Sequence, residues 1–217
     1  RDGRAGAQDE GSQLAALIAA SAPLEGDTDE RWLDLCAGPG GKAALLAGLA
    51  AGVGARVTAN EMHPHRARLM ERTTRQFDSI EVVSGDGRTF GGGQSAWPLG
   101  SFDRVVVDAP CSGMGSMRRR PESRWNRTPA DVEELTVLTY ITCSPHAAET
   151  REQVERLLKA GEVELLDTVA LANECAPEAL DVPASAGVIK GFSGRTLQLW
   201  DHRFGTDLMF VACLRKR

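Results

Sequence analysis

The stretch VVVDAPCSGMG, residues 105–115, carries three β-branched residues straight into an acid, a proline and a cysteine. A second short β-type run, YITCS at 140–144, also ends in a cysteine beside a serine. Parallel strands covered on both faces read as continuous apolar runs, and ligands of open α/β sheets sit just beyond the carboxyl ends of such strands. Asp108, Cys111 and Cys143 are therefore placed for chemistry. Two thiols and a carboxylate in one cleft suit attack on a carbon that is not nucleophilic by itself. C5 of cytosine is one: a thiolate adding at C6 makes the ring enamine-like and able to take a methyl group from a sulfonium donor. Covalent catalysis of this kind divides one hard step into easier ones. A carboxyl group at N3 steadies the adduct, and a base must later remove the C5 proton. Asp108 suits the N3 contact, while the residues themselves leave open which thiol attacks and which assists release. A free thiol titrates near ~8.5, so the attacker must be acidified by its surroundings. The plainer reading makes both cysteines small buried hydrophobes; their place in polar strand-end motifs argues against it.

A second group of residues could hold a cofactor. In LDLCAGPGGKAALLAGLA, Gly38, Gly40 and Gly41 lie between a strand and a helix, where glycine lets the backbone approach a ligand closely. A Walker phosphate loop is excluded in form, since Cys36 stands where its first Gly belongs and Ala43 where its Ser or Thr belongs. Residues 38–43 satisfy the looser G-x-G-x-x-A dinucleotide pattern. A tight turn without a ligand is the plainer alternative. Glu61, 20 residues beyond Gly41, is where a Rossmann-type acid accepts hydrogen bonds from ribose hydroxyls; it could equally cap the next helix, whose Pro64 fits a first-turn position. Asp86 in SGDG is a third polar group at the same edge, or merely a turn residue. Just past the DAPCSG segment, MRRRPESRWNRT supplies Arg118, Arg119, Arg120, Arg124 and Arg127 around Trp125. Arginines there can hold phosphates and an aromatic ring can stack on an unpaired base, so these six are candidate RNA contacts. A solvated charged loop is the alternative.

The elements that must position these groups follow from the pattern. Strand-like RWLDLC (31–36), ARVTAN (55–60) and IEVVSG (80–85) alternate with helices expected over 42–51 and 64–76. After a loop containing Gly91, Gly92 and Gly93 come FDRVVVD, a helix expected over 129–138, YITCS, and a helix over 148–159. This alternation predicts a parallel, doubly wound α/β sheet in which the fourth and fifth strands are neighbours. TLQLW (196–200) and LMFVACLRK (208–216) flank the seven-residue link DHRFGTD, short enough for an antiparallel hairpin and too short for a crossover. The hairpin suits the methyltransferase variant of the Rossmann architecture better than the dehydrogenase variant. One join is awkward. The helix through VEELTVLT passes at Thr139 directly into a strand expected from Tyr140, with no residues to turn in; a segment absent between the two is the favoured explanation.

The totals set outer bounds. A chain of 217 residues, 42% of them hydrophobic, suits one domain. It has no apolar run able to span a bilayer and no signal segment, so a cytoplasmic protein without membrane partners is expected. The first residue is Arg1 rather than Met, which suggests a start further upstream. Five cysteines without a C-x-x-C pair or a histidine at zinc spacing point to reduced thiols and no metal. A net charge of −5 argues against bulk electrostatic coating of nucleic acid and for a narrow basic track. Oligomeric state is not legible.

LDLCAGPGGK, the acid in ANE, DAPCSG and TCS together resemble the Sun/Fmu-type (NOL1/NOP2/Sun) family of RNA cytosine-C5 methyltransferases. The similarity extends from QDEGSQL at 8–14 to HRFGTDLMFVACLRK at the end. The resemblance implies a Rossmann-like class I methyltransferase fold in which Cys36, Ala37, Gly38, Pro39, Gly40, Gly41 and Lys42 form the S-adenosylmethionine loop. Glu61 would lie on the ribose, Asp86 near the adenine, and Asp108 between cofactor and cytosine. It also orders the thiols: Cys143 of the TCS motif as nucleophile, Cys111 as the residue that assists release. The implied partner is RNA, with small-subunit ribosomal RNA as the expected substrate, and bacterial ribosomal members carry a further N-terminal RNA-binding domain. Members usually have a helix remainder and a turn before TCS, which this chain lacks. Two rivals remain: a nicotinamide-dependent oxidoreductase, which leaves both strand-end cysteines idle, and a catalytically silent RNA-binding module.

Overall fold

The computed structural model describes residues 7–91, 96–98, 100–111 and 137–217. Asp9 opens the first helix, α1 (Glu10–Ser21), by accepting from the Ser12 amide. Its other carboxylate oxygen accepts from the Asp207 amide at 3.0 Å, tying the lead-in to the end of the chain. Strands β1 (Arg31–Asp34), β2 (Arg56–Asn60) and β3 (Ile80–Val83) then alternate with α2 (Gly41–Val53) and α3 (Pro64–Thr74). β4 (Arg104–Asp108) and β5 (Val137–Thr142) follow, then α4 (Arg151–Ala160), β6 (Val163–Leu165), α5 (Thr168–Cys175), β7 (Leu197–Leu199), the one-turn α6 (Asp201–Phe204) and β8 (Met209–Lys216).

The strands form one sheet in the order β3-β2-β1-β4-β5-β8-β6, with β7 paired to β8. β1 to β5 are mutually parallel, and β8 runs antiparallel to β5, β6 and β7. The doubly wound sheet with its antiparallel closing hairpin is the Rossmann-like methyltransferase architecture expected from the pattern. The hairpin link DHRFGTD holds α6. Alternate residues of β8 explain why both faces must be covered: Met209, Val211 and Cys213 pack with α1, α2 and α5, while Phe210, Ala212 and Leu214 pack with Val154 and Leu158 of α4. Every residue of β5 is buried, as are Val105 and Val106 of β4, which anchors the strand ends that carry Asp108, Cys111 and Cys143.

One expectation is corrected. Val137, Leu138 and Thr139 are strand, not the end of a helix: β5 starts at Val137, and these residues pair with Arg104, Val105 and Val106 of β4. The apolar run VLTYIT is compatible with either period, and burial on both faces of the sheet decides it as strand. No helix-to-strand join therefore falls at Thr139. Residues 129–136 of the expected helix lie outside the described residues, as do Gly92 and Gly93 of the glycine loop. β6, α5 and α6 were not anticipated. Among the described residues no helix is long and apolar enough to cross a membrane.

Candidate functional site

The carboxyl ends of β1, β2, β4 and β5 converge on one edge of the sheet. Beyond β1 the backbone continues the ladder: the Leu35 amide donates to Val106 O and the Ala37 amide to Asn60 O, each at 2.9 Å. The loop then turns through Gly38, Pro39 and Gly40 into α2. Gly40, at φ 106°, takes a conformation that side chains disfavour, and a Cβ there would stand 2.9 Å from Met70 Cγ. Gly38 lies so close to Glu61 that a Cβ would meet its Oε2 at 1.9 Å. These two contacts explain the glycines: one shapes the turn, the other admits an acid against the backbone.

Glu61 is almost fully buried. Its Oε1 accepts from the His63 amide at 2.8 Å, and its Oε2 lies 3.7 Å from Arg66 Nη1, while Arg66 Nη2 reaches Gly38 O at 3.4 Å. The acid therefore steadies the start of α3, with Pro64 in the first turn, and stands beside the glycine loop at once. Asp86 accepts from the backbone and guanidinium of Arg88 and opens a 3-10 turn at Gly87–Thr89. Asn60 holds the two loops together by donating to Leu35 O at 3.0 Å and Gly85 O at 3.1 Å.

Past the ends of β4 and β5, Cys111 Sγ and Cys143 Sγ are 3.4 Å apart, within reach of an S–H donating to its neighbour. The Lys42 ammonium binds Asp108 Oδ2 at 2.8 Å, with side chains 11% and 30% exposed. Burial pulls this ammonium down, but the Asp108 carboxylate more than offsets that and its affinity for the proton is raised; Asp34 and Cys143 act in the same direction. Asp34, the last residue of β1, is fully buried, and its carboxyl is pushed up to about 7 by burial first and by the Asp108 charge second, against the opposing pull of Lys42. The turn after Cys143 is held from below. Ser144, fully buried, donates to Glu149 Oε2 and accepts from the His146 amide at 3.1 Å, and the Tyr140 hydroxyl donates to Glu149 O at 2.9 Å.

The edge thus gathers residues 36–42, Glu61, Asp108, Cys111 and Cys143, with Asp86 in the turn after β3. Arg118, Arg119, Arg120, Arg124, Trp125 and Arg127 lie outside the described residues. Sequence reasoning missed Asp34, Asn60, Arg66, Ser144 and Glu149. Asp34 had a visible signal, an acid inside the apolar run WLDL; the others are recognisable only once the loops are seen together.

A family model described as 16S rRNA methyltransferase RsmB/F matches residues 21–139. The protein named Putative methyltransferase Rv1407 in Mycobacterium tuberculosis (strain H37Rv) is 47% identical over all of this chain and 47% of its own length, in an alignment of 234 residues. The probable ribosomal RNA small subunit methyltransferase B of Bacillus subtilis is 30% identical over all of this chain and 49% of its own. The chain spans about half the length of these curated relatives. In fold it is similar to the crystal structure of PH0851 (TM-score 0.74, 23% identity, 99% of this chain and 47% of that one). It is also similar to NSun6 from Pyrococcus horikoshii (TM-score 0.66, 22% identity, 96% and 52%). With more than half of its length matched by the family model, this chain belongs to the RsmB/F (NOL1/NOP2/Sun) family of S-adenosylmethionine-dependent RNA cytosine methyltransferases.

Proposed function

We propose that this chain methylates C5 of a cytosine in small-subunit ribosomal RNA through a covalent bond from Cys143 to C6. The observation that carries the reading is the pair of thiols 3.4 Å apart at the ends of two neighbouring parallel strands, beside the Lys42–Asp108 ion pair. A nicotinamide oxidoreductase has no use for that arrangement. The close-packed glycine turn and the acid behind it fit a bound nucleoside cofactor, with Cys36, Ala37, Gly38, Pro39, Gly40, Gly41 and Lys42 around it, Glu61 toward its ribose and Asp86 toward its base. When bound, S-adenosylmethionine supplies an electrophilic methyl group.

The protein's own groups do the rest. Cys143 adds to C6, which places electron density on C5 for the methyl transfer. A thiol hydrogen bond from Cys111 favours the thiolate of its neighbour before attack. Asp108 contacts N3 of the base, and the Lys42 ammonium held on it provides a proton-rich partner for the charge that develops there. Cys111 then assists loss of the C5 proton and elimination of Cys143. The arginines at 118, 119, 120, 124 and 127, with Trp125, would track the RNA backbone and stack on an opened strand, since the target base must leave its stack to react. The choice of ribosomal RNA rests on the family description and on relatives that carry that name.

Incubation with S-adenosylmethionine and 5-fluorocytidine-containing small-subunit RNA fragments tests this directly, because fluorine at C5 blocks the final elimination. The wild type is expected to form a protein–RNA adduct that survives denaturing electrophoresis. Cys143→Ala abolishes it, while Cys111→Ala on unmodified RNA lets an adduct accumulate. Loss of the adduct to the same degree in both variants would refute the division of labour. No adduct from folded wild type on any ribosomal fragment, with binding retained, would favour a silent RNA-binding module.

A further inference from the structure

Among the described residues around the glycine loop, acids outnumber cations. Asp108 has the Lys42 ammonium at 2.8 Å, and Glu61 has Arg66 at 3.7 Å as well as the His63 amide. Among the described residues Asp34 has no cation of its own: it is fully buried, and neither carboxylate oxygen has a hydrogen-bond partner of normal geometry there. Buried polar atoms without partners are uncommon enough that each calls for a physical reason. A carboxylate sealed in this way is costly unless it is protonated or a positive charge arrives to compensate it.

Among the described residues the groups that act on Asp34 come from several elements. Lys42 projects from α2, Asp108 from the end of β4, and Glu61 from just past the end of β2, while the Cys36 amide favours the charged form; Cys143, after β5, acts through Lys42. Lys42, the one ammonium among these groups, is already held by Asp108. Asp34 therefore stands as a spare acid at the strand end that leads into loop 36–42, the proposed cofactor cradle.

We propose that Asp34 couples one proton to the charge of the cofactor, standing ionised beneath the cationic methyl donor and protonated when the neutral thioether product occupies the loop. The proposal rests on that reading of residues 36–42. In methyl transfer the S–CH3 bond breaks, its electron pair stays on sulfur, and the methyl group goes to the RNA carbon. The site loses one positive charge, and one proton taken from solvent by Asp34 restores the balance. Asp34 is thus a positioning residue that sets preference between donor and product. Below neutrality the donor must displace a proton in order to bind and the product need not, so acid narrows the gap between them.

Titration calorimetry of the chain with S-adenosylmethionine and with S-adenosylhomocysteine, at pH 6, 7 and 8 in two buffers of different ionisation enthalpy, counts the protons. At pH 6 the wild type is expected to release close to one proton more with the donor than with the product. The ratio of donor to product affinity should rise roughly a hundredfold from pH 6 to pH 8, tenfold per pH unit for a difference of one proton between the two complexes. Asp34→Asn, which has the shape and charge of the protonated acid, should show neither effect. Equal proton release with both ligands in the wild type overturns the proposal without recourse to any variant, and so does an unchanged difference in Asp34→Asn. A folded wild type that binds neither ligand overturns the cradle reading itself, and the proposal with it.

Discussion

Gly38→Ala adds one methyl group, and the structure states what it would meet: Glu61 Oε2 at 1.9 Å and its Cδ at 2.7 Å. Gly38 is not in the left-handed region, so sterics against Glu61 alone oppose the change. Glu61 must swing away and give up the 2.8 Å bond from the His63 amide and its 3.7 Å approach to Arg66. Overpacking typically costs ~1–3 kcal/mol and a hydrogen bond to a charged group ~1.5–3 kcal/mol. The two share one side chain, which regains water as it leaves, so they do not add; a net loss of about 2–3 kcal/mol is expected. For a chain of this size each kcal/mol moves the midpoint by about 2–4 °C, giving a fall of about 4–12 °C. Thermal unfolding of Gly38→Ala, Glu61→Ala and the double variant forms a closed cycle. Shortening Glu61 removes the atoms in the way, so the double variant should be more stable than the two losses combined imply, with a coupling of about 1–2 kcal/mol. Affinity for S-adenosylmethionine should drop about tenfold in Gly38→Ala, ~1.4 kcal/mol of binding energy. A variant that melts with the wild type, or a strictly additive cycle, refutes the close packing of acid on glycine.

Three further outcomes are expected. Lys42→Met strips Asp108 of its cation and should cost about 1–3 kcal/mol, a buried-pair penalty discounted for the solvent contact of Asp108, read by chemical denaturation, and it should suppress adduct formation. Ser144→Ala removes two hydrogen bonds beneath the Cys143 turn; denaturant titration should show a loss of about 1–3 kcal/mol, and single-turnover trapping should show slower adduct formation with cofactor affinity retained. Asp34, raised from 3.8 to about 7 in the folded protein, binds its proton more tightly folded than unfolded. Its contribution to ligand-free stability is therefore complete below about pH 4 and lost as pH rises through about 7, with a slope approaching 1.4 kcal/mol per pH unit between. Melting curves from pH 5 to 8 should be flatter in Asp34→Asn than in the wild type by that component.

The sheet was legible because its central strands are covered on both faces: RVVVD and ARVTAN read as near-continuous apolar runs between helical stretches, while the half-buried edge strand IEVV shows by its β-branched residues. The same property misled at 137–139, where VLT carries no periodicity and adjoins a polar, helix-like segment. β6 is only three residues long and α5 only eight, and neither length produces a pattern that stands out from its surroundings. In the site, glycines, cysteines and strand-end acids announce themselves by type. Asp34 is visible as an acid in an apolar run, but its lack of a partner is not, and Glu149 does not stand out at all, because the hydroxyl that reaches it comes from Ser144 in the turn after β5. Glu61 shows how two readings can merge: the same carboxylate caps a helix and flanks the glycine turn.

β8 comes last in the described order yet lies inside the sheet, hydrogen-bonded along β5 on one side and to β6 and β7 on the other. During synthesis, then, the strand that leads to Cys143 must wait with an open flank until residues 209–216 have left the ribosome. An interrupted chain would present that bare apolar edge to its neighbours. The flank beside the strand that carries Cys143 is therefore closed by the latest-made of the described strands, which ties the order of that strand end to residues far along the chain.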